Sequence, residues 1–491
     1  MSRNVPLPQL RERAREAKEK CAVFGVWGDG AGVRLAYLGL YAQQHRGQES
    51  SGIAVSNGRE LSALVGMGLV PEVFDAEGLE RLARQGQRGV IGHNRYSTAG
   101  GSLSCNAQPL LERYVGGQVA IAHNGNLINA EALRSRFEHA GHLFHTTSDT
   151  EVIVHLLASP EQQRAPDPLA ATLRHLQGAF SLVFLFPDRV EAARDPWGWR
   201  PLSIGRLGSG AYVVASETVA LDVLGAAFVR DVEPGEIVTL SDRGLESRRF
   251  AEAAARPALC AFEHVYFAHP ASRVFGQNVE LAREKMGEVL AREAPPPAGS
   301  DYVVPMPDSG RSAALGFARA CGAVYREAIV PNRYVGRTFI KPTQAERTAA
   351  VRLKLNIIDE LVRGKRLVIV DDSIVRGTTT KAKMDQLREA GVREIHLRIS
   401  CPPIRHPCHF GVDFAERSQL IATGKRVEEI RDYLGVDSLH YLSLEGLLSC
   451  MRGEPAHYCT ACWSGEYRLD PEHPEGEWRI EPEQMKIFGG A

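Results

Sequence analysis

Arg366-Leu-Val-Ile-Val370-Asp371-Asp372-Ser373-Ile-Val-Arg376-Gly377-Thr378-Thr379-Thr380 decides how the second half of this chain folds. The apolar run 366–370 reads as a buried strand. A helix is predicted over 379–390, ending at Gly391, a residue type common just past a helix C-terminus. A strand running through Gly, Ser and Thr into a helix N-terminus forms a phosphate cradle, because backbone N–H groups, hydroxyls and the helix dipole all face the anion. Asp371 and Asp372, at the strand's carboxyl end, could hold ribose hydroxyls or Mg²⁺. The Gly-x₄-Gly-Lys spacing of a Walker A loop is absent. The plainer alternative is an Asp-rich turn capping a helix.

Outward from that loop, 302–305 and 394–400 also read as buried parallel strands, so the chain from about 275 is predicted to form a doubly wound, mostly parallel sheet. The first half differs. Short Val- and Ile-rich strands are predicted over 52–56, 89–97, 119–126, 179–186, 211–216 and 236–240. Helical patterns cover 35–44, 129–139, 150–158 and 168–176, which together suggest stacked α+β layers. An Ala- and Pro-rich linker at 251–258 separates the halves.

The 491 residues suggest two to three domains. With 58 Lys+Arg against 59 Asp+Glu, the net charge of −1 argues against nucleic-acid or membrane-surface binding. No apolar run approaches the ~18 residues of a membrane span. Nine cysteines, irregularly spaced, fit a reducing compartment, so a cytoplasmic protein is expected. Residues 1–20 mix basic and acidic side chains and lack the apolar stretch of a secretory signal. A strand-like run, Cys21-Ala-Val-Phe-Gly-Val-Trp27, follows at once.

The 371–380 loop resembles the phosphoribosylpyrophosphate (PRPP) motif. Together with Pro307-Asp308-Ser309-Gly310, Asn332-Arg-Tyr-Val-Gly-Arg-Thr-Phe339 and the Cys21 segment, it makes the chain from Cys21 to about Trp463 similar to the glutamine PRPP amidotransferases. The resemblance implies a propeptide at 1–20. It then implies an α+β N-terminal-nucleophile (Ntn) hydrolase domain at 21–258, an αββα sandwich with glutamine amidotransferase activity. An α/β type I phosphoribosyltransferase domain with a C-terminal cluster-binding segment would follow at 259–491.

The residue chemistry agrees. Once Lys20 is removed, Cys21 offers a thiol beside a free α-amine, whose pKa of about 8 suits a general base. Alone, Cys21 would read as a buried strand cysteine. The segments 44–48, 92–98, 123–126 and 148–150 resemble the Ntn glutaminase motifs. They imply that Arg95 binds the glutamine α-carboxylate, Asp149 binds its α-ammonium, and Asn124 with Gly125 forms the oxyanion hole. Read without the family, Asp149 could be a helix cap and Arg95 a surface ion pair.

The resemblance further implies that ammonia released from glutamine attacks C1 of PRPP as pyrophosphate leaves. The product is 5-phospho-β-D-ribosylamine, the opening step of de novo purine synthesis. One Mg²⁺ per subunit would sit at Ser309, Asp371 and Asp372. Ser373, Arg376, Gly377, Thr378 and Thr379 would cradle PRPP, and the basic segment 333–356 would close over it. Purine-nucleotide feedback inhibitors and a homotetramer are also implied. Pro331 stands where the family usually has Lys, which bears on the inhibitor pattern.

Cys459-Thr-Ala-Cys462 is a C-x₂-C pair, for which zinc is the default reading. The resemblance instead implies a [4Fe–4S] cluster on Cys260, Cys408, Cys459 and Cys462, with Cys401 the competitor of Cys408. Cys105, Cys321 and Cys450 are expected to be packing residues. Two rival functions are a glutaminase-type amidotransferase with another acceptor and a purine-sensing regulator on the PRPP fold. The first should lack the 371–378 loop, the second Cys21, Arg95 and Asp149; this chain has them all.

Overall fold

The structure, a computed structural model, describes residues 20–96, 103–332, 355–412 and 417–470. The expected propeptide before Lys20, nearly all of the basic segment 333–356 and the tail beyond 470 lie outside the described residues.

The first half is built on thirteen strands: β1 (Lys20–Trp27), β2 (Ser50–Ser56), β3 (Leu61–Met67), β4 (Gly89–Tyr96), β5 (Leu110–Tyr114), β6 (Gly117–Leu127), β7 (Gly178–Phe186), β8 (Arg189–Arg194), β9 (Ser203–Arg206), β10 (Tyr212–Ala215), β11 (Ala227–Asp231), β12 (Glu236–Ser241) and β13 (Gly244–Arg249). They form a seven-stranded sheet, β11-β9-β10-β1-β4-β2-β3, and a six-stranded sheet, β13-β12-β8-β7-β6-β5.

Side-chain alternation along β1 explains the stacking. Phe24 and Val26 face the helix Gly32–Ala42 and join Val33, Ala36 and Leu40 in one core. Val23 and Trp27 point the other way and pack with Val183, Leu185 and Val190 of the second sheet. Gly25 shares that inner face: a Cβ there would lie 2.9 Å from Val183 Cγ1 and 3.1 Å from Val190 Cγ1, so the missing side chain lets the sheets close. A third core joins Phe180, Leu182 and Phe184 to Leu133, Phe137, Val152 and Leu156 on the helices Ala130–His139 and Thr150–Ala158. Three cores make four layers: helix, sheet, sheet, helix. This is the expected αββα sandwich.

The second half contains a parallel sheet ordered Tyr302–Pro305, Arg366–Asp371, Glu394–Ile399, Ser438–Tyr441. Its α/β architecture is also as expected. The helix expected at 379–390 runs over Thr378–Glu389. It ends through Gly391 at φ 87°, with the Gly391 and Val392 N–H groups bonded back to Arg388 and Leu387. Just past the linker, Leu259–Cys260 pairs in parallel with Tyr458–Cys459, joining the start of the second half to its end. Among the described residues no helix is long and apolar enough to cross a membrane.

Candidate active site

Cys21 sits at the N-terminal end of β1, fully buried, opposite Arg95 of β4. Its carbonyl accepts a hydrogen bond from Arg46 Nε at 3.0 Å. Asn124 and Gly125 lie on the inner strand β6. The Asn124 side-chain N–H₂ approaches Ser216 Oγ at 3.5 Å, the hydroxyl that also accepts from the Val23 N–H at 2.9 Å. That shared hydroxyl holds the Asn124 amide next to β1, two residues from Cys21.

Asp149 precedes the helix Thr150–Ala158 but makes no side-chain cap bond to it, which disposes of the capping alternative. Its carboxylate turns instead to β6, accepting from the Leu127 N–H at 2.9 Å and the Thr150 hydroxyl at 3.3 Å, with His123 Nδ1 at 3.5 Å. Burial alone would raise its pKa, but the His123 ring and these hydrogen bonds hold it below the usual carboxylate range. An anionic Asp149 suits an ammonium ligand. Arg95 is no surface ion pair: it is buried, 3.3 Å from Glu49 Oε1.

In the second half, Asp371 ends its strand and Asp372 follows, both buried. Burial and the neighbouring Asp372 carboxylate push Asp371 up to about 7. Hydroxyls of Ser309 and Ser373 donate to Asp372. Two adjacent carboxylates with a serine hydroxyl are a hard-oxygen donor set, and a divalent cation would relieve the repulsion that raises Asp371. The Ser309 hydroxyl thus lies against the Asp372 carboxylate. Gly377 takes φ 75°, a left-handed conformation that turns the loop into the helix starting at Thr378. The first-turn N–H groups of a helix have no intrahelical acceptor, and those of this helix follow Ser373 and Arg376 along the same loop.

One cleft of about 800 Å³ joins the two regions. Tyr96 and Asn124 line it on the first-half side; Ser309, Asp371–Asp372–Ser373 and Arg376–Thr380 line it on the other. The halves touch beside it. Asn126 Nδ2 donates to the His409 carbonyl at 2.8 Å, and a Cβ on Gly411 would come within 3.1 Å of the Gly125 carbonyl carbon.

Cys260, Cys408, Cys459 and Cys462, expected as cluster ligands, lie in one region of the second half. Cys260 and Cys459 are register partners. The Cys462 thiol is pushed well up by burial and by Cys408, Cys459, Cys260 and Cys401, so the competitor Cys401 lies near the group as well; burial pushes Cys260 up to about 12. Sulfur acceptors are already bonded: Phe410 N–H to Cys408 Sγ at 3.4 Å and Arg200 Nη1 to Cys260 Sγ at 3.8 Å. Among the described residues, no group of three or more His, Cys, Asp or Glu side chains stands as a ready-made metal cage. Cys401 is buried, its thiol directed to the Pro402 carbonyl at 3.3 Å. Cys450 is buried and Cys321 half-buried, but Cys105 is exposed, so the packing role expected for it is corrected: it lies in a short surface turn, Ser104–Asn106.

Sequence reasoning missed Arg46, Arg200, Glu217 and Glu263, which form a buried ionic group at the seam between the halves. Arg46 lies within a quoted motif, but no local signal pairs it with carboxylates 171 and 217 positions away.

A glutamine amidotransferase domain family matches residues 93–223. The amidophosphoribosyltransferase of Methanothermobacter thermautotrophicus is 49% identical over 459 residues, spanning 92% of this chain and 95% of that protein. The Bacillus subtilis amidophosphoribosyltransferase is 46% identical over 457 residues, 91% of this chain and 94% of its own length. The solved structure of glutamine PRPP amidotransferase from B. subtilis, complexed with ADP and GMP, superposes with a TM-score of 0.83 at 44% identity. It covers 91% of this chain and 97% of that one.

Proposed function

Because the chain belongs to the amidophosphoribosyltransferase family, we infer how its own residues divide the work of that enzyme. The reaction takes PRPP, glutamine and water to 5-phospho-β-D-ribosylamine, glutamate and pyrophosphate, the first step of purine biosynthesis. The observation that carries the assignment is a cleft lined both by Asn124 and by residues of the 371–380 loop. On this reading 21–258 is the glutamine amidotransferase domain and 259–491 the phosphoribosyltransferase domain.

Arg95 grips the glutamine α-carboxylate and Asp149 the α-ammonium. The Cys21 thiol attacks the amide carbon and passes its proton to the α-amine of the same residue. The Asn124 side chain and the Gly125 N–H hold the oxyanion. Collapse releases ammonia and leaves a γ-glutamyl thioester, which water hydrolyses. Ammonia crosses the cleft to C1 of PRPP, whose 5-phosphate is held by 373–379. Ser309, Asp371 and Asp372 would hold one Mg²⁺, which supplies charge neutralisation at the leaving pyrophosphate. Cys260, Cys408, Cys459 and Cys462 would hold a [4Fe–4S] cluster; their convergence and the N–H donors at their sulfurs support this. Purine nucleotides act as feedback inhibitors, in a pattern altered by Pro331. The assembly is a homotetramer in the cytoplasm.

This mechanism needs the α-amine free, since an amide nitrogen cannot act as the base. Mass spectrometry of the active protein is expected to show a chain beginning at Cys21. Full glutamine-driven activity in chains that still carry residues 1–20 would remove the amine from the mechanism.

A further inference from the structure

Two carboxylates cross the seam between the halves in opposite directions. Glu263, from the second half, lies in a π-helical turn, Glu263–Phe267, three residues past Cys260. It accepts from Arg46 Nη1 at 2.9 Å and Nη2 at 2.8 Å, and from Arg200 Nη1 at 3.0 Å. Glu217, from the first half, accepts from the His269 N–H at 2.8 Å and the Ser272 hydroxyl at 2.6 Å in the second. It also takes Arg46 Nη1 at 2.6 Å and His45 Nε2 at 2.8 Å. Arg46, Arg200, Glu217 and Glu263 are all at least 96% buried. Burial would raise Glu263, but Arg46 and then Arg200 hold it below the usual range, so it is ionised. Two cations and two anions balance. Removing one strands an uncompensated buried charge.

Arg46 is where this balance meets the nucleophile. Its two terminal nitrogens are held by the carboxylates, and that clamp aims its Nε–H at the Cys21 carbonyl, 3.0 Å away. The carbonyl's direction fixes the first peptide plane, and with it how the thiol and the α-amine diverge from Cα. Glu263 touches neither. We propose that Glu263 is a positioning residue for the nucleophile, so that the first-half site reaches working geometry only when the second half delivers this carboxylate. The proposal rests on the reading of Cys21 as the nucleophile.

Glu263→Gln keeps the shape and removes the charge. Tested in the full-length protein, it is expected to lower the glutaminase kcat about 100-fold, the scale of an ångström-level misplacement, with KM for glutamine within about twofold. Synthesis from added ammonia should keep its rate, because its site is built from 307–310 and 371–380. An unchanged glutaminase kcat, or a fall of both activities in step, would overturn the proposal. Arg46→Lys keeps a cation between the carboxylates but lacks the Nε–H. If the glutamine variant fails to fold, the lysine variant should show the same kcat loss with KM held, and a wild-type kcat there would overturn the proposal equally. Wild-type protein whose glutaminase does not depend on Cys21 would sink the underlying reading instead.

Discussion

Replacing Cys21 with Ala is expected to abolish glutamine-driven synthesis, by about 10⁴-fold or more, as for the loss of other covalent nucleophiles, while synthesis from added ammonia survives. Cys21 is fully buried on β1, so the change removes one sulfur from a packed strand. That costs on the order of 1–2 kcal/mol, too little to unfold a chain of this size. On the proposed division of work, the ammonia-driven step uses Ser309, Asp371, Asp372 and the loop into the helix Thr378–Glu389, none of which belongs to the Cys21 sheet. Rates with glutamine and with ammonium, measured on one preparation, check this. Loss of both activities in a folded variant would contradict two separable half-sites.

The second large effect concerns the cysteines. Protein purified without oxygen is expected to be brown and to hold about four irons per chain, as a four-thiolate [4Fe–4S] centre requires. A colourless protein carrying zinc would return the site to the plainer metal. Cys408→Ser should lose the cluster and Cys401→Ser should keep it, since Cys408 already accepts an N–H bond at sulfur while Cys401 turns to a carbonyl. The reverse result would show Cys401 to be the ligand. Burial pushes the Cys260 thiol up to about 12, so without metal it stays protonated at neutral pH. Binding must release that proton, and affinity should weaken as the pH falls. The cluster would join the chain at 260 to the chain at 459, closing a loop whose unfolded-state entropy corresponds to about 5 kcal/mol. Calorimetry before and after air oxidation should therefore show a lower melting temperature. A melting temperature and glutaminase activity that both survive complete cluster loss would remove the structural role.

What could be read from the sequence was local. The run 367–370 is apolar without interruption and is followed by two carboxylates, so strand, loop and helix could each be placed from neighbouring residues. Asp149 and Arg95 could be placed only by resemblance, because a carboxylate before a helix is usually a cap and an arginine on a strand usually meets solvent. Ser438–Tyr441 was not expected: Ser-Leu-His-Tyr carries a single aliphatic residue and becomes a strand only by pairing with Glu394–Ile399. The seam was invisible for a stronger reason. Charged side chains are normally assigned to the surface, and Arg46, Arg200, Glu217 and Glu263 are buried only because two halves of the chain bring opposite charges together.

The proposed mechanism requires one cleft to carry nitrogen from the Cys21 site to the Asp371–Asp372 site. The most direct test turns over glutamine labelled with ¹⁵N in its amide, with PRPP, in excess unlabelled ammonium at a pH where little free ammonia competes. The phosphoribosylamine formed is expected to carry the glutamine label undiluted. Label diluted to the ratio of the bulk ammonium pool would contradict it.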